Sequence, residues 1–446
     1  MEILIALVVV VVLMVIAASK YKFHPFLSLL MAGIVMGFVG GLTEEEITAT
    51  LTSGFGKTLG SIGIIIAFGT IIGAYLEKSG GAKTMANWAL NTIGKSRSVL
   101  AMNITGFIVS IPVYCDSGFI ILSPLNKAIS KSTKIPLTVL AVSLAAGLYT
   151  AHVFVPPTPG PLAATAALDA DLGLVILLGL AVAFPVSLVG YFWAKYLQRR
   201  YKNIETSTEN KDEVSETDSQ HQTIPKTSNT FMPIIIPIVL IALKSISDYP
   251  THPFGEGVFS RITNFIGNPI IALLIGVFLA FKLKKNVKEA THFNWVTSGL
   301  KEAGIIILIT GAGGAFGSIL QATGIGDIIG SKFSNLNLGL FLPFIIAAVL
   351  KTAQGSSTVS IITTAAIIAP ILESFGLDSS LGRALTVLAI GAGAMTVSHL
   401  NDSFFWVVAQ FSGMDTPTAL KTQTVSTLIQ GFFGIILIMI IGWIFI

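Results

Sequence analysis

The chain has 446 residues, of which 53% are hydrophobic and only 11% are charged, with a formal net charge of +4. Soluble domains carry roughly 25% charged residues, so a chain of this length with so few charges is not expected to cover a water-facing surface. The composition therefore argues against a soluble globular protein and predicts a polytopic membrane protein.

Apolar runs recur along the whole chain and predict membrane-spanning helices. The runs are apolar on all sides and lack the two-residue alternation of a membrane β-barrel. Because a span needs about 20 mostly apolar residues, and some runs are shorter, we expect an all-α protein with about 12–14 membrane segments, some of them broken or re-entrant. The clearest runs are residues 3–18, 25–39, 172–192, 232–243, 269–281 and 425–446.

One long hydrophilic segment divides the apolar chain into two parts. Residues 201–229 are rich in Ser, Thr, Glu, Asp and Lys, which predicts a disordered cytoplasmic linker. The predicted organisation is an N-terminal transmembrane repeat over residues 1–200, the linker, and a C-terminal transmembrane repeat over residues 230–446. The single cysteine, Cys115, allows no disulfide within the chain.

Three landmarks occur in the same order in both parts and predict an internal repeat. Each part has a glycine-punctuated apolar helix, which starts near Ser61 in the first and near Glu302 in the second. A polar break follows, VYCDSGFIILSP in the first part and KTAQGSSTVSIITTAAIIAP in the second. A helix of small residues then runs into His152 or His399.

The charges that precede the two copies predict that the repeats have opposite orientations. The stretch before the first copy is acidic, TEEEITATL, and the stretch before the second is basic, KLKKNVKEATHF. Loops rich in Lys and Arg tend to be cytoplasmic, which also places the N-terminus outside. Inverted repeats with broken helices are common in secondary transporters. Two parallel repeats with chance loop charges are the alternative.

Two breaks in the N-terminal part are candidate substrate sites, because irregular backbone at membrane depth must be buried in protein or line a wet cavity. The first contains Asp116 and Ser117, and an intramembrane carboxylate indicates function, although Asp116 could simply cap a helix. The second runs from His152 through VPPTPGP, whose four prolines end the helix, and contains Thr158. His152 could carry a proton, bind a substrate hydroxyl, or be structural.

The third break offers a cation, an amide and hydroxyls beside a glycine, a set that suits a substrate with one carboxylate and several hydroxyls. Free amides at the helix start could also bind an anion. The alternative for the lysine is that it snorkels to a surface. The candidate substrate-binding residues of this break are Lys351, Gln354, Gly355, Ser356 and Ser357.

The fourth break, SHLNDS, combines a possible proton carrier, an amide and a carboxylate. We expect Asn401 to bind substrate, and Asp402 with His399 to couple transport to protons, since a buried carboxyl group can exchange protons near neutral pH. His152, His399 and Asp402 could together hold zinc. However, the chain has no H-E-x-x-H motif or Cys/His cluster, so neither a metal site nor a cofactor is predicted.

At these breaks the chain resembles the gluconate permease family of the ion-transporter superfamily. The resemblance covers nearly the whole chain apart from the linker. It implies a multi-pass protein of the bacterial inner membrane, in a homodimer, that imports gluconate or a similar hydroxy acid with protons. The segments that carry it are YCDSGFIILSPL, HVFVPPTPGPLAATAAL, KTAQGSSTVSIITTAAIIAP, SHLNDSFFWVV and TPTALKTQTVSTLIQGFFG.

Two positions depart from the pattern of the family. Thr158 stands where the family has a second histidine, and Lys351 stands where it often has arginine. Only arginine binds a carboxylate through a two-pronged fork, so the substrate could differ from gluconate. Other sugar acids, glycerate-like acids and D-serine-like amino acids are the alternatives for the substrate.

Two other functions fit parts of the pattern. A sodium-coupled anion carrier or a Na⁺/H⁺ antiporter keeps the same architecture, because intramembrane Asp, Asn and Ser could coordinate sodium. An intramembrane enzyme is disfavoured, since the motifs G-x-S-G and H-E-x-x-H are absent. The expected partners are therefore an organic anion, a proton or sodium ion, and the lipid bilayer, with no nucleic acid.

Overall fold

The structure is a computed structural model that describes residues 2–19, 21, 23–94, 97–200, 225–247, 255, 257–283, 289–325, 339–400 and 402–445. Over these ranges the secondary structure is helical and no strand occurs. Residues 201–224 of the predicted linker lie outside the described residues, and the helix that follows begins at Thr227.

Nine helices form the N-terminal part as the structure describes it. They are α1 (Glu2–Ser19), α2 (Pro25–Val39), α3 (Glu44–Lys78), α4 (Gly81–Ile93), α5 (Ser98–Ser110), α6 (Cys115–Thr133), α7 (Leu137–Phe154), α8 (Pro159–Ala167) and α9 (Leu172–Arg200).

The described residues of the C-terminal part form a further set of helices, and a π turn, Leu420–Thr424, precedes the last of them. They are α10 (Thr227–Ser247), α11 (Val258–Ile266), α12 (Pro269–Phe281), α13 (Glu289–Ala322), α14 (Phe341–Gln354), α15 (Ser357–Ile368), α16 (Ser380–Met395), α17 (Ser403–Phe411), α18 (Thr416–Ala419) and α19 (Val425–Phe445).

Several helices are long and apolar enough to cross a membrane, and the chain is an all-α polytopic membrane protein. Five stretches in the described ranges qualify: Leu137–Ala167, Leu172–Arg200, Thr227–Ser247, Thr291–Ala322 and Thr416–Phe445. Two bent pairs, with angles of 46° in α3 and 65° between α11 and α12, raise the number to seven if each is one span. Shorter apolar helices accompany them, so a total of about 12–14 segments stays a prediction.

The long helices α3 and α13 run side by side in opposite directions and contact each other through glycines. A Cβ atom added to Gly314 would lie 1.9 Å from Thr58 Oγ1, and one added to Gly54 would lie 2.4 Å from Ser318 Oγ. Small residues allow helix backbones to approach this closely in membranes. Each of the two helices also contacts a helix of the other part, α3 with α12 and α13 with α2.

The two parts pack their helices in a matching order. In the first, α7 lies between α5 and α9; in the second, α16 lies between α14 and α19. Buried amides join these helices: Asn103 Nδ2 on α5 donates to Ser143 O and Ser187 O at 3.1 and 3.0 Å. Gln430 Nε2 on α19 donates to Thr150 Oγ1 at 2.8 Å. The matched order supports a repeat, while the opposite orientation of its copies stays a prediction.

We expect single cysteines placed at Glu45 and at Lys285 to react with a membrane-impermeant maleimide from opposite sides of the membrane. The reason is the acidic charge before the first copy and the basic charge before the second. Labelling of intact cells and of inverted vesicles measures this, in a Cys115→Ala background that removes the chain's one cysteine. Reaction of both positions from the same side contradicts the inverted orientation.

Candidate functional site

A buried lysine lies at the centre of the candidate site. Lys351 is in the last turn of α14 and is fully buried, so its side chain does not reach a surface. Gly355 ends this helix with φ of 79°, a conformation that glycine adopts without steric cost. The Gly355 carbonyl accepts a hydrogen bond from Lys351 Nζ at 2.8 Å. The helix end thus holds the ammonium group in place.

The lysine pairs with a carboxylate from the fourth break. Lys351 Nζ lies 2.6 Å from Asp402 Oδ2, and the Asp402 side chain is 5% exposed. Asp402 also caps α17, since its Oδ1 accepts from Phe404 N at 3.1 Å. The Ser398 hydroxyl donates a further hydrogen bond to Oδ2. A buried ion pair is stable only when its remaining hydrogen-bonding groups are satisfied in this way.

The backbone around Ser398 is anchored by the π turn and by the helix that follows it. Ser398 N donates to Thr427 Oγ1 at 3.0 Å, and Thr424 Oγ1 donates to Ser398 O at 2.6 Å. The preceding residue, Val397, has φ of 57°, which is an outlier for a β-branched side chain. Strained backbone of this kind is held by its surroundings, so the break has a defined shape.

His399 lies at the edge of this arrangement. Its Nε2 is 2.9 Å from the carbonyl oxygen of Thr352, which can only accept, so Nε2 carries the hydrogen. The side chain is half-buried. His399 therefore connects the fourth break to the end of α14, while the predicted ligand Asn401 lies outside the described residues.

The second break lines a small pocket in the N-terminal part. The pocket has an empty volume of about 240 Å³, part of which is open solvent, and its polar side chains are those of Thr70, Tyr114, His152 and Thr158. His152 is 5% exposed, and its Nδ1 has no hydrogen-bond partner among the described residues. The same holds for the buried Tyr114 Oη. Unpaired buried polar atoms are costly, so this pocket is a candidate site for a ligand or water.

Asp116 lies in the first turn of α6, next to the buried pair. Its carboxyl group interacts electrostatically with Asp402 and Lys351, and the Ser403 hydroxyl is close to it. Its Oδ1 is buried without a partner in the described part of the chain, and its Oδ2 is 4.0 Å from Cys115 Sγ. His152 interacts with the same pair. Residues from all four breaks thus meet at one place.

The remaining predicted residues differ in their hydrogen bonds and in their burial. Ser356 caps α15, since its Oγ accepts from Val359 N at 3.3 Å. Thr158 Oγ1 donates to Val155 O at 2.6 Å. Gln354 Oε1 is buried without a partner within the described ranges, and Ser117 is half-buried beside Asp116. No group of three His, Cys, Asp or Glu side chains suited to a metal ion is found among the residues that the structure describes.

Tyr149 is a residue of the site that the sequence did not single out. It is fully buried on α7, and Lys351 Nζ lies 5.7 Å from the centre of its ring. Its Oη donates to Ala394 O at 3.4 Å, and the Ser357 hydroxyl is within reach of the same oxygen. The ring stacks on Phe404 with centroids 5.2 Å apart. Its one signal in the sequence is a position one helical turn before His152.

We expect Tyr149→Leu to reduce uptake strongly and Tyr149→Phe to reduce it little. Leucine removes the ring beside the Lys351 ammonium, and a desolvated contact between a cation and a ring contributes about 2 kcal/mol. Phenylalanine keeps that ring and loses only hydrogen bonds, which contribute about 1 kcal/mol. Substrate affinity and thermal unfolding of the purified variants measure this. Tyr196→Leu, at an exposed position on α9, is the control. Equal effects of both Tyr149 changes would contradict a role for the ring.

Comparisons with known proteins identify relatives of the chain. A sequence model of the GntP family permeases matches residues 1–444. The chain is 33% identical to a gluconate permease of Pseudomonas aeruginosa over 438 residues, 97% of this chain and 96% of the relative. It is 33% identical to a D-serine transporter of Escherichia coli over 429 residues, 95% of this chain and 94% of the relative.

The fold is similar to that of a solved transporter. The crystal structure of the YdaH transporter of Alcanivorax borkumensis superposes with a TM-score of 0.69 at 13% identity, covering 95% of this chain and 99% of the other. At this identity the similarity concerns the fold alone.

Proposed function

Because the chain belongs to the GntP family of permeases, which are inner-membrane transporters and not enzymes, we propose that it imports gluconate or a related small hydroxylated carboxylate together with protons. The observation that carries this proposal is the buried Lys351–Asp402 pair beside a pocket with unpaired polar atoms. A cation next to unpaired hydrogen-bonding groups suits an anion that carries hydroxyls.

The ammonium group of Lys351 would bind the substrate carboxylate. An ammonium has three donors, and among the described residues two partners are seen, Asp402 and Gly355. A donor is thus left for a substrate oxygen. Tyr114 Oη, His152 Nδ1 and Gln354 Oε1 would bind the substrate hydroxyls, because each is buried and lacks a partner in the described part of the chain.

The charges of the site favour binding of an anion together with a cation. Lys351 and Asp402 cancel each other, so an ionised Asp116 and an added substrate carboxylate place two uncompensated negative charges in the site. Two like charges 4 Å apart repel by about 4 kcal/mol at the effective dielectric constant of a protein surface. A proton that enters with the substrate removes this cost. The sequence assigned the proton to His399 and Asp402, and a sodium ion is the alternative.

An amino acid such as D-serine is a second candidate substrate. The chain is as similar to a D-serine transporter as to a gluconate permease, at 33% identity to each. In the site, the unpaired Oδ1 of Asp116 could accept a hydrogen bond from a substrate ammonium group. An amino acid would then bring its own positive charge, and coupling to a proton would not be required for neutrality.

Two features of the assembly are also part of the proposal. The matching order of helices in the two parts supports a repeat, and the charges that precede the two copies are the reason to propose that the repeats are inverted and move against each other around the site. A homodimer is implied by the resemblance to the family. Measurement of the mass of the purified protein in detergent tests the dimer, and a monomeric mass would contradict it.

Uptake into proteoliposomes tests the function. We expect labelled gluconate to accumulate under an inward proton gradient and the accumulation to collapse with an uncoupler. Unlabelled sugar acids, glycerate and D-serine as competitors would identify the substrate class. Protein-free liposomes are the control. Uptake that requires sodium and ignores the proton gradient would favour the sodium alternative, and no uptake of any competitor would overturn the proposal.

A further inference from the structure

The two carboxyl groups of the site differ sharply in their partners. Asp402 receives hydrogen bonds from Ser398 Oγ and Phe404 N and an ion pair from Lys351. Asp116 has one oxygen that is buried without a partner among the described residues; its other oxygen is 4.0 Å from the Cys115 thiol, and the Ser403 hydroxyl is close to the carboxyl group. Among the described residues, Asp402 therefore has an ion pair and two hydrogen bonds that stabilise its ionised form, whereas Asp116 has no partner on one of its oxygens.

We propose that Asp116 takes up the coupling proton and that Asp402 remains ionised as the counter-ion of Lys351. This inference rests on the proposed function and names the proton site within it. A carboxyl group that binds and releases a proton must lose few stabilising contacts on protonation. Protonation of Asp116 breaks no ion pair that is seen among the described residues. Protonation of Asp402 would break the ion pair with Lys351 and leave a buried ammonium uncompensated.

Access to the proton also distinguishes the two groups. Asp116 is half-buried, whereas the Asp402 side chain is only 5% exposed and is enclosed by its three partners. A coupling proton has to exchange with water on each side of the membrane in turn. A half-buried carboxyl group at the start of a broken helix can do so without disturbing the cap of α17.

The titratable groups that face Asp116 come from four elements. Cys115 lies on its own helix α6, Tyr149 on α7, Lys351 on α14, and Asp402 at the start of α17. With Asp116 ionised, two carboxylates face one ammonium, and the site repels an anion. With Asp116 protonated, the ion pair alone remains and the site is neutral.

Coupling follows from this balance of charge. A substrate carboxylate beside Lys351 raises the affinity of Asp116 for a proton, and by linkage the proton raises the affinity for the substrate. If one proton binds with each anion, the substrate Kd rises about tenfold per pH unit once the pH is above the value at which the empty site loses its proton. Without Asp116 this pH dependence is lost, while the charge of the Lys351–Asp402 pair stays the same.

Proton uptake on substrate binding tests the inference. Purified protein in weakly buffered detergent solution is mixed with gluconate at several pH values, and a pH indicator reports the protons taken up per substrate bound. We expect about one proton for the wild-type protein, as linkage requires, and none for Asp116→Asn. Unchanged proton uptake in Asp116→Asn would overturn the inference. If proton uptake is lost in His152→Gln but intact in Asp116→Asn, the coupling proton is assigned to His152 instead.

A second variant covers the case in which Asp116→Asn binds no substrate. Asp116→Glu keeps the carboxyl group on a longer side chain, so we expect proton uptake to persist with its pH midpoint shifted. An unshifted midpoint would overturn the inference. Binding with proton uptake by both wild type and Asp116→Asn refutes only this inference. Absence of binding of any sugar acid to the wild-type protein refutes the proposed function and this inference with it.

Discussion

Replacement of Lys351 by methionine is expected to abolish substrate uptake and to lower the free energy of unfolding by about 3–5 kcal/mol. Methionine keeps most of the length of the side chain but removes its charge. Asp402, with its side chain only 5% exposed, is then left as a buried carboxylate without its counter-ion. Thermal unfolding in detergent and proteoliposome uptake measure the two effects.

A double variant separates stability from function. In Lys351→Met with Asp402→Asn no charge of the pair remains, while the asparagine can still cap α17 through its side-chain oxygen. We therefore expect most of the lost stability to return and uptake to stay absent. Recovery of uptake would show that the substrate does not need Lys351. Wild-type stability of the single variant would contradict the buried ion pair itself.

The titratable residues of the site could be predicted because charge in an apolar environment is visible along the sequence. Asp116, His152, Lys351 and Asp402 were each selected by this criterion and by an adjacent helix break. The structure brings them to one place. A membrane helix tolerates such groups only where protein or water compensates them, so this signal is strong.

The partners of these residues could not be predicted, since they depend on contacts between distant segments. Nothing in the sequence pairs Lys351 with Asp402 or leaves Asp116 Oδ1 without a partner. Tyr149 resembles any aromatic residue of a buried helix until the ammonium of Lys351 is placed beside its ring. The division of roles between the two carboxyl groups follows from these contacts alone.

Helix contacts through glycine were equally hidden, because glycine is frequent throughout the chain. Gly147 and Gly304 both lie inside apolar helices, and their sequence surroundings do not distinguish them. A Cβ atom added to Gly304 would meet no atom within 4 Å, whereas one added to Gly147 would lie 2.0 Å from Asn103 O. The two positions are therefore expected to respond in opposite ways to the same substitution.

We expect Gly147→Val to prevent formation of a stable protein. The backbones of α5 and α7 touch at this point, and a Cβ atom added to Gly106 would lie 2.4 Å from Leu144 O on the facing helix. The valine side chain must push α7 away from α5, which also breaks the hydrogen bond from Asn103 Nδ2 to Ser143 O. Overpacking lowers stability by about 1–3 kcal/mol where a neighbouring side chain can move away. Here the neighbour is backbone, which cannot move in this way, so the loss of stability is expected to be larger.

Alanine at the same two glycines gives the matched comparison, because it adds only the Cβ atom. Gly147→Ala should lower the unfolding temperature, while Gly304→Ala should leave it unchanged or raise it, since alanine is favoured over glycine inside a helix by about 1 kcal/mol. Because α7 carries Tyr149 and His152, Gly147→Ala should also weaken substrate binding in the protein that remains folded. Equal unfolding temperatures for the two alanine variants would contradict the close contact of α5 and α7.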